Sequence, residues 1–244
     1  MSALDDHVRE IDALNQRGGR MLSIVDLIEA GTIDRDLGAH LAAAIGAGAS
    51  FMVGALPGAA GKTTVMGALL NLTPADADLR TADGKEAILD GISNPRPRRV
   101  YVCHEIGKGR LHAYLWGPIL KSYFALAQKG HILATNLHAD TLEEARDQIC
   151  GAGSVPEEAF RRMNLALFLR FDPSTGRREI VEAWESDGGS PHRRIFANGR
   201  LEPDGSRLVP PGKTASARTL IHDLLASGAR TLSQVRAFIT AADG

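Results

Sequence analysis

The chain is short of aromatic residues, 5% of 244, and aromatic rings are the platforms on which unpaired bases stack. It has only two cysteines, Cys103 and Cys150, without the spacing of a disulfide framework, which fits reduced thiols in a cytosol. A zinc site built from Cys103, His104 and His112 would take neighbouring strand residues that point to opposite faces, and no second ligand pair is visible. No run of about 18 apolar residues occurs, and the first ten residues lack an apolar core behind a basic start. Neither membrane insertion nor a secretory leader is expected, and the predicted location is cytoplasmic. The net charge of −1 and pI near 6.7 give no global attraction for nucleic acid or anionic lipid. Residues 161–194 are locally basic, but interleaved glutamates and few aromatics read as a solvated face and argue against nucleic acid.

What is present can bury a full core: 44% of residues are hydrophobic and 23% charged, enough for one globular domain with appendages or two small domains. The organising stretch is Phe51–Thr64, an apolar run, a glycine-containing turn, and Gly61-Lys62-Thr63-Thr64 opening a helical pattern. Strand, loop and helix in that order form a phosphate-binding loop, with Pro57, Gly58, Ala59, Ala60, Gly61, Lys62, Thr63 and Thr64 as its ligand-facing residues. Leu56 stands where the pattern G-x-x-x-x-G-K-[ST] has its first glycine. Either the loop tolerates a side chain there or Gly58 takes over the turn.

Around this loop, strands alternate with helices. Residues 1–20 are polar and predict a flexible segment; Ser23–Gly31 and Asp34–Gly46 predict two capped helices leading into a strand over Phe51–Ala55. After the helix Thr63–Leu72 come an edge strand near Leu79–Asp83, a helix over Lys85–Ile92, and a β-rich run Val100–Glu105 ending on a carboxylate. A helix at Pro118–Lys129, a buried strand at His131–His138, helices at Leu142–Cys150 and 156–163, and a strand at Leu165–Phe171 complete the alternation. It predicts an α/β domain over 21–175, with a mainly parallel sheet covered on both faces. Beyond it, Arg178–Trp184 and Arg194–Leu201 predict a small antiparallel extension (176–203), followed by a linker (204–216) and a helical tail (217–244). In the tail, Leu220, Ile221, Leu224 and Leu225, then Val235, Phe238 and Ile239, recur at helical spacing. They either cap their own domain or dock a partner or second copy.

The residues resemble the secretion, or traffic, ATPases of type II and type IV systems. Leu22–Asp34 looks like the helical lead-in to that family's phosphate loop, Asn71–Asp83 like its acidic Asp box, and Gly130–Thr141 with Glu143-Glu144-Ala145 like its His box. The resemblance implies a RecA-like P-loop NTPase core, ATP and Mg²⁺ as cofactors, and a motor subunit of a secretion, pilus or conjugation machine. Its partners would be other subunits of that machine or an active ATPase, with self-association into a homo-oligomer a further expectation. There are departures. Cys103-His104-Glu105-Ile106 stands in for the family's Walker B with His104 at the glycine position, and Gly84 replaces an acidic residue beside Asp83. About 50 residues precede the loop, too few for the family's N-terminal domain. Leu56, His104 and the missing N-terminal domain favour the alternative of a non-hydrolysing subunit that scaffolds or regulates an active partner. A small kinase would need an acceptor site and an arginine-rich lid, and neither is evident.

Nucleotide hydrolysis needs phosphate charge neutralised, Mg²⁺ positioned and a water oriented in line. Lys62 is expected to stand exposed at the loop and reach the β- and γ-phosphates. Thr63 would ligate Mg²⁺, and Thr64 would touch the α-phosphate. Glu105 at a strand end would hold a metal-bound water or polarise the attacking one, with Asp83 a second acidic candidate. The resemblance adds His138 as a γ-phosphate sensor or a link to a neighbouring subunit, with His131 the weaker histidine. Arg80, Arg98, Arg99 and Arg110 are candidates for an arginine acting across an interface.

Overall fold

Every residue of Phe51–Gly54 (β1) is buried, as is every residue of Ile132–Leu137 (β5), and the two pair in parallel with Phe51 opposite Ala134. Strands apolar on both faces need cover on both sides, and the chain supplies it with helices. The computed structural model describes residues 3–15, 18–56, 58–109, 113–202 and 206–242.

The N-terminal part contributes three helices, Ala3–Asp12 (α1), Ile24–Glu29 (α2) and Arg35–Gly46 (α3). Ser23 caps α2 in a reciprocal box with Asp26, and Asp34 caps α3 by accepting from the Asp36 and Leu37 amides. The α1 helix differs from the flexible segment predicted for 1–20. Its polar composition hides an apolar stripe, and Ile11 is buried together with Leu14, just beyond the helix, in the main core.

After β1 come the helix Lys62–Leu70 (α4), strand Asp78–Thr81 (β2), helix Gly84–Ser93 (α5) and strand Arg99–Ile106 (β3). Next are Tyr114–Leu115 (β4), Pro118–Gln128 (α6), β5, and Leu142–Arg146 (α7), which widens into a π-helical turn at Asp147–Ala152. The chain continues through Glu157–Phe160 (α8), Leu165–Phe171 (β6), Arg178–Glu185 (β7), Arg193–Ala197 (β8) and Arg200–Leu201 (β9) to Pro211–Ala226 (α9) and Leu232–Ala242 (α10).

The strands order as β2-β3-β5-β1-β6-β7-β8-β9, with β4 beside β3; pairs from β2 to β6 are parallel and those from β6 onward antiparallel. This is the RecA-like arrangement of an α/β core, its first strand central and its loop at the carboxyl edge. Two apolar layers flank the sheet. One packs α1–α4, α9 and α10 against Val53, Leu165 and Ile180; the other packs α5–α8 against Met52, Leu133 and Phe168.

Three further boundaries differ from the sequence reading. The antiparallel extension continues the same sheet, because β7 pairs along the whole of β6. The single strand expected over Arg194–Leu201 is a hairpin, β8 and β9, turned by Asn198 and Gly199 at φ of 52° and 71°. The linker ends early: α9 begins at Pro211, where a proline has no amide to lose at a helix start. The tail caps its own domain, with Ile221 and Leu224 of α9 and Val235 and Ile239 of α10 in the main core.

Candidate functional site

The phosphate-loop residues sit where β1 ends and α4 begins. Gly61 precedes α4 at φ 104° and offers no side-chain cap, so the first amides of the helix have neither an intrahelical partner nor a capping side chain. An uncapped helix start is suited to an anion. Besides Gly61, the left-handed residue of the turn is Ala59, φ 70°, rather than Gly58. Leu56 is tolerated because its side chain points outward, 51% exposed, while its backbone is tied down. Its amide donates to Asp140 Oδ1 at 2.7 Å, and its carbonyl lies 3.0 Å from His138 Nδ1. Ala60 is buried, Gly58 and Ala59 are exposed, and Thr63 and Thr64 are half-buried on the first turn of α4. Pro57 lies outside the described residues.

Lys62 is not exposed as the sequence predicts. It is 7% exposed and folds inward, where Nζ donates to the Ala55 carbonyl at 3.1 Å and lies 3.3 Å from His138 Nδ1. Ala55 follows the buried strand β1 with a carbonyl that accepts this bond, and the nearby Glu105 and Asp140 carboxylates attract the ammonium. Burial lowers the Lys62 pKa, and these two carboxylates oppose that shift.

Glu105 reaches this cluster through a β-bulge. The β3–β5 register runs Cys103 to Thr135 but Ile106 to Leu137, so one extra residue is accommodated at His104-Glu105. Asn136 Nδ2 fills the break by donating to the His104 carbonyl at 2.9 Å. Glu105 is buried, and its Oε1 lies 2.6 Å from His138 Nε2, close but not aligned as a hydrogen bond. His138 therefore stands between the two catalytic candidates. With its proton on Nε2 it faces Glu105 and can accept from Lys62; with the proton on Nδ1 it donates to Leu56.

The structure thus brings together Lys62, Glu105 and His138, and adds Asp140, which the sequence reading did not single out. Asp83 is exposed ahead of α5, just past the edge strand β2, which β3 and β5 separate from β1. His131 has a structural role: Nδ1 accepts from the Arg99 amide at 3.1 Å and Nε2 lies 3.0 Å from the Gly91 carbonyl. Arg98 pairs with Asp76, and Arg99 with Asp90, while Arg80 is exposed and Arg110 lies outside the described residues. A zinc site gains no support. Burial pushes the Cys103 thiol up to about 12, His104 stacks on Tyr114, and His112 lies outside the described residues. A second residue that sequence reasoning missed is Arg178, at the start of β7, whose Nη2 donates to the Ala59 carbonyl at 3.4 Å. The signal for it is pairing alone, since β7 folds back along β6 and returns to the loop.

Thr63 and Glu105 supply an hydroxyl and a buried carboxylate at the loop, the hard oxygen donors that suit Mg²⁺ bound with phosphate. The uncapped amides and Lys62 suit the phosphates themselves.

No family model and no curated protein matches the chain. Among solved structures, it is similar to the VirB11 ATPase of the Brucella suis type IV secretion system, in complex with sulphate. Identity is 21%, covering 66% of this chain and 54% of that one, with a TM-score of 0.48. It is also similar to the Legionella pneumophila ATPase DotB, at 14% identity, 96% and 62% coverage and a TM-score of 0.40. The chain therefore spans less than two thirds of either protein.

Proposed function

We propose that this chain binds Mg·ATP at the loop before α4 and hydrolyses it as a subunit of a secretion, pilus or conjugation machine. The observation that carries the nucleotide site is the convergence of Lys62, His138 and Glu105 beside the uncapped start of α4. The motor role rests on the sequence resemblance of Leu22–Asp34, Asn71–Asp83 and Gly130–Thr141 to secretion ATPases.

In this reading the amides after Gly61 receive the phosphates, and Lys62 exchanges the Ala55 carbonyl for phosphate oxygen. That exchange costs one hydrogen bond and gains a charge-assisted one. Thr63 and Glu105 would hold Mg²⁺, which neutralises charge on the phosphates. Glu105, buried beside the loop, orients a water, and His138 couples its carboxylate to the position of Lys62. Release of Lys62 toward phosphate leaves His138 Nδ1 to the Leu56 carbonyl, so ligand occupancy and the Glu105 contact are linked through one imidazole.

The second reading, a non-hydrolysing subunit that scaffolds or regulates an active motor, is favoured by Leu56 and His104, each standing where the motif has a glycine. Measuring Mg·ATP binding and phosphate release on the purified chain separates the two. Binding with turnover supports the motor, binding without turnover in any assembly supports the regulator, and absence of binding removes both. Partners are then the machine's other subunits or further copies of this chain.

A further inference from the structure

Phe171 ends β6 and Arg178 begins β7, and the two are direct cross-strand partners at the carboxyl edge of the parallel strands. The guanidinium lies over the Phe171 ring at 4.4 Å, and Nη1 donates to the Gly176 carbonyl at 3.1 Å. The side chain runs along the turn that opens α4. A Cβ on Gly61 would meet Arg178 Cδ at 3.0 Å and Nε at 3.4 Å, and Nη2 reaches the Ala59 carbonyl.

The neighbouring arginines of this hairpin are neutralised. Arg170 and Arg177 pair with Glu179, and Arg193 pairs with Glu185. Among the described residues, Arg178 has no carboxylate within ion-pair distance. A planar cation stacked on a ring, fixed by carbonyls and short of counter-charge is matched to phosphate oxygen.

The sheet order decides which part of a nucleotide it faces. Glu105 on β3 and His138 after β5 lie on one side of β1, whereas Arg178 on β7 lies on the other. With the terminal phosphate directed at Glu105, Arg178 stands beside the phosphates nearer the nucleoside.

We infer that Arg178 is a phosphate-binding residue supplied by the chain's own hairpin, gripping the part of the phosphate chain that ATP and ADP share. This rests on the nucleotide-site reading above. Its consequence is that Arg178 sets affinity for both nucleotides and leaves the chemical step to Lys62 and Glu105. The cation is offered within one chain and needs no neighbouring subunit.

The test is equilibrium binding of Mg·ATP and Mg·ADP to the full chain and to Arg178→Ala, Arg178→Lys and Phe171→Leu, with thermal unfolding as a check on folding. Arg178→Ala is expected to weaken both nucleotides by a similar factor, on the order of 10-fold or more, with a shallower salt dependence of Kd. Arg178→Lys should recover part of the affinity, and Phe171→Leu, which keeps the cation and removes its platform, should lose a few-fold. Parent-like affinity in folded Arg178→Ala, or a loss confined to ATP, overturns the assignment while the nucleotide site stands. If Arg178→Ala does not fold, equal ADP affinity and salt slope in Phe171→Leu and Arg178→Lys overturn it instead. If the unmodified chain binds neither nucleotide, the site reading fails and the assignment falls with it.

Discussion

Gly54 and Ala139 approach so closely that a Cβ on Gly54 would lie 2.5 Å from the Ala139 carbonyl, and 2.8 Å from Phe168 Cδ1. The end of β1 is thereby pressed against the segment that carries His138 and Asp140. Gly54→Ala is expected to push the two apart, costing about 1–3 kcal/mol of stability and weakening nucleotide binding about tenfold without removing a functional group. Gly212→Ala, on the exposed first turn of α9, is the control, since a Cβ there meets nothing within 4 Å. Denaturant unfolding and nucleotide titration of both variants check this; equal behaviour would show that the contact does not shape the site.

Lys62→Ala should reduce affinity for Mg·ATP about 100-fold or more, and Glu105→Gln should preserve binding while lowering turnover about 100-fold or more. Because Lys62 is folded against Ala55 and His138, its removal is also expected to change melting temperature by a few degrees. Binding and single-turnover assays read the two effects separately. Hydrolysis by Glu105→Gln at the parent rate would remove Glu105 from the chemistry.

These two variants also mark how far the sequence was legible. The loop and the strand ending on Glu105 are local patterns, apolar runs with a glycine turn or a terminal carboxylate, and periodicity shows them. The bulge at His104-Glu105 is not local. It arises because Asn136, on the adjacent strand, fills the gap left in the ladder. Asp140 and Arg178 escaped for the same reason: each meets the loop only through a pairing that joins residues far apart in the chain. The loop pattern predicts an exposed Lys62, whereas the nearby carboxylates and carbonyl that draw it inward come from three separate segments. Composition likewise concealed α1, whose buried residues, His7 and Ile11, are few among polar neighbours.

Ala59 holds a left-handed conformation, φ 70°, that costs an L-residue roughly 1–2 kcal/mol. Ala59→Gly is expected to stabilise the protein by up to about 1 kcal/mol, part of the relief being offset by the freer unfolded chain. Ala59→Val should destabilise it by more than about 1 kcal/mol, because branching at Cβ disfavours this region. Chemical denaturation midpoints decide the order, and a valine variant as stable as the parent would contradict the strain.

Acid should destabilise the fold through two buried groups. Burial, with the nearby Arg236 charge, pushes the His7 pKa down to about 3. Its folded state resists protonation, so stability falls as pH drops below the ordinary histidine value of 6.5 toward 3. Burial of Glu185 opposes its ionisation, but His40, the Arg207 amide and the Ser206 hydroxyl together hold its carboxyl down to about 2. That stabilisation is present above 4.5 and is lost as pH falls toward 2. Glu185→Gln should flatten the lower part of the stability–pH curve and His7→Leu the upper part. Unfolding free energies measured from pH 7 to 3 test both slopes.

Arg236 of α10 is buried, and its guanidinium bonds the carbonyls of Asn71, Thr73 and Pro74, just past the end of α4; Asn71 returns a bond to the Leu232 carbonyl. The nine residues of α4 make a rod about 14 Å long with the phosphate loop at its other end. The tail is therefore the mounting of that rod. Trimming the last dozen residues would strip the donors from three carbonyls in one stroke and free the end of α4 opposite the loop, so a truncation far from the loop in sequence acts on the loop's footing.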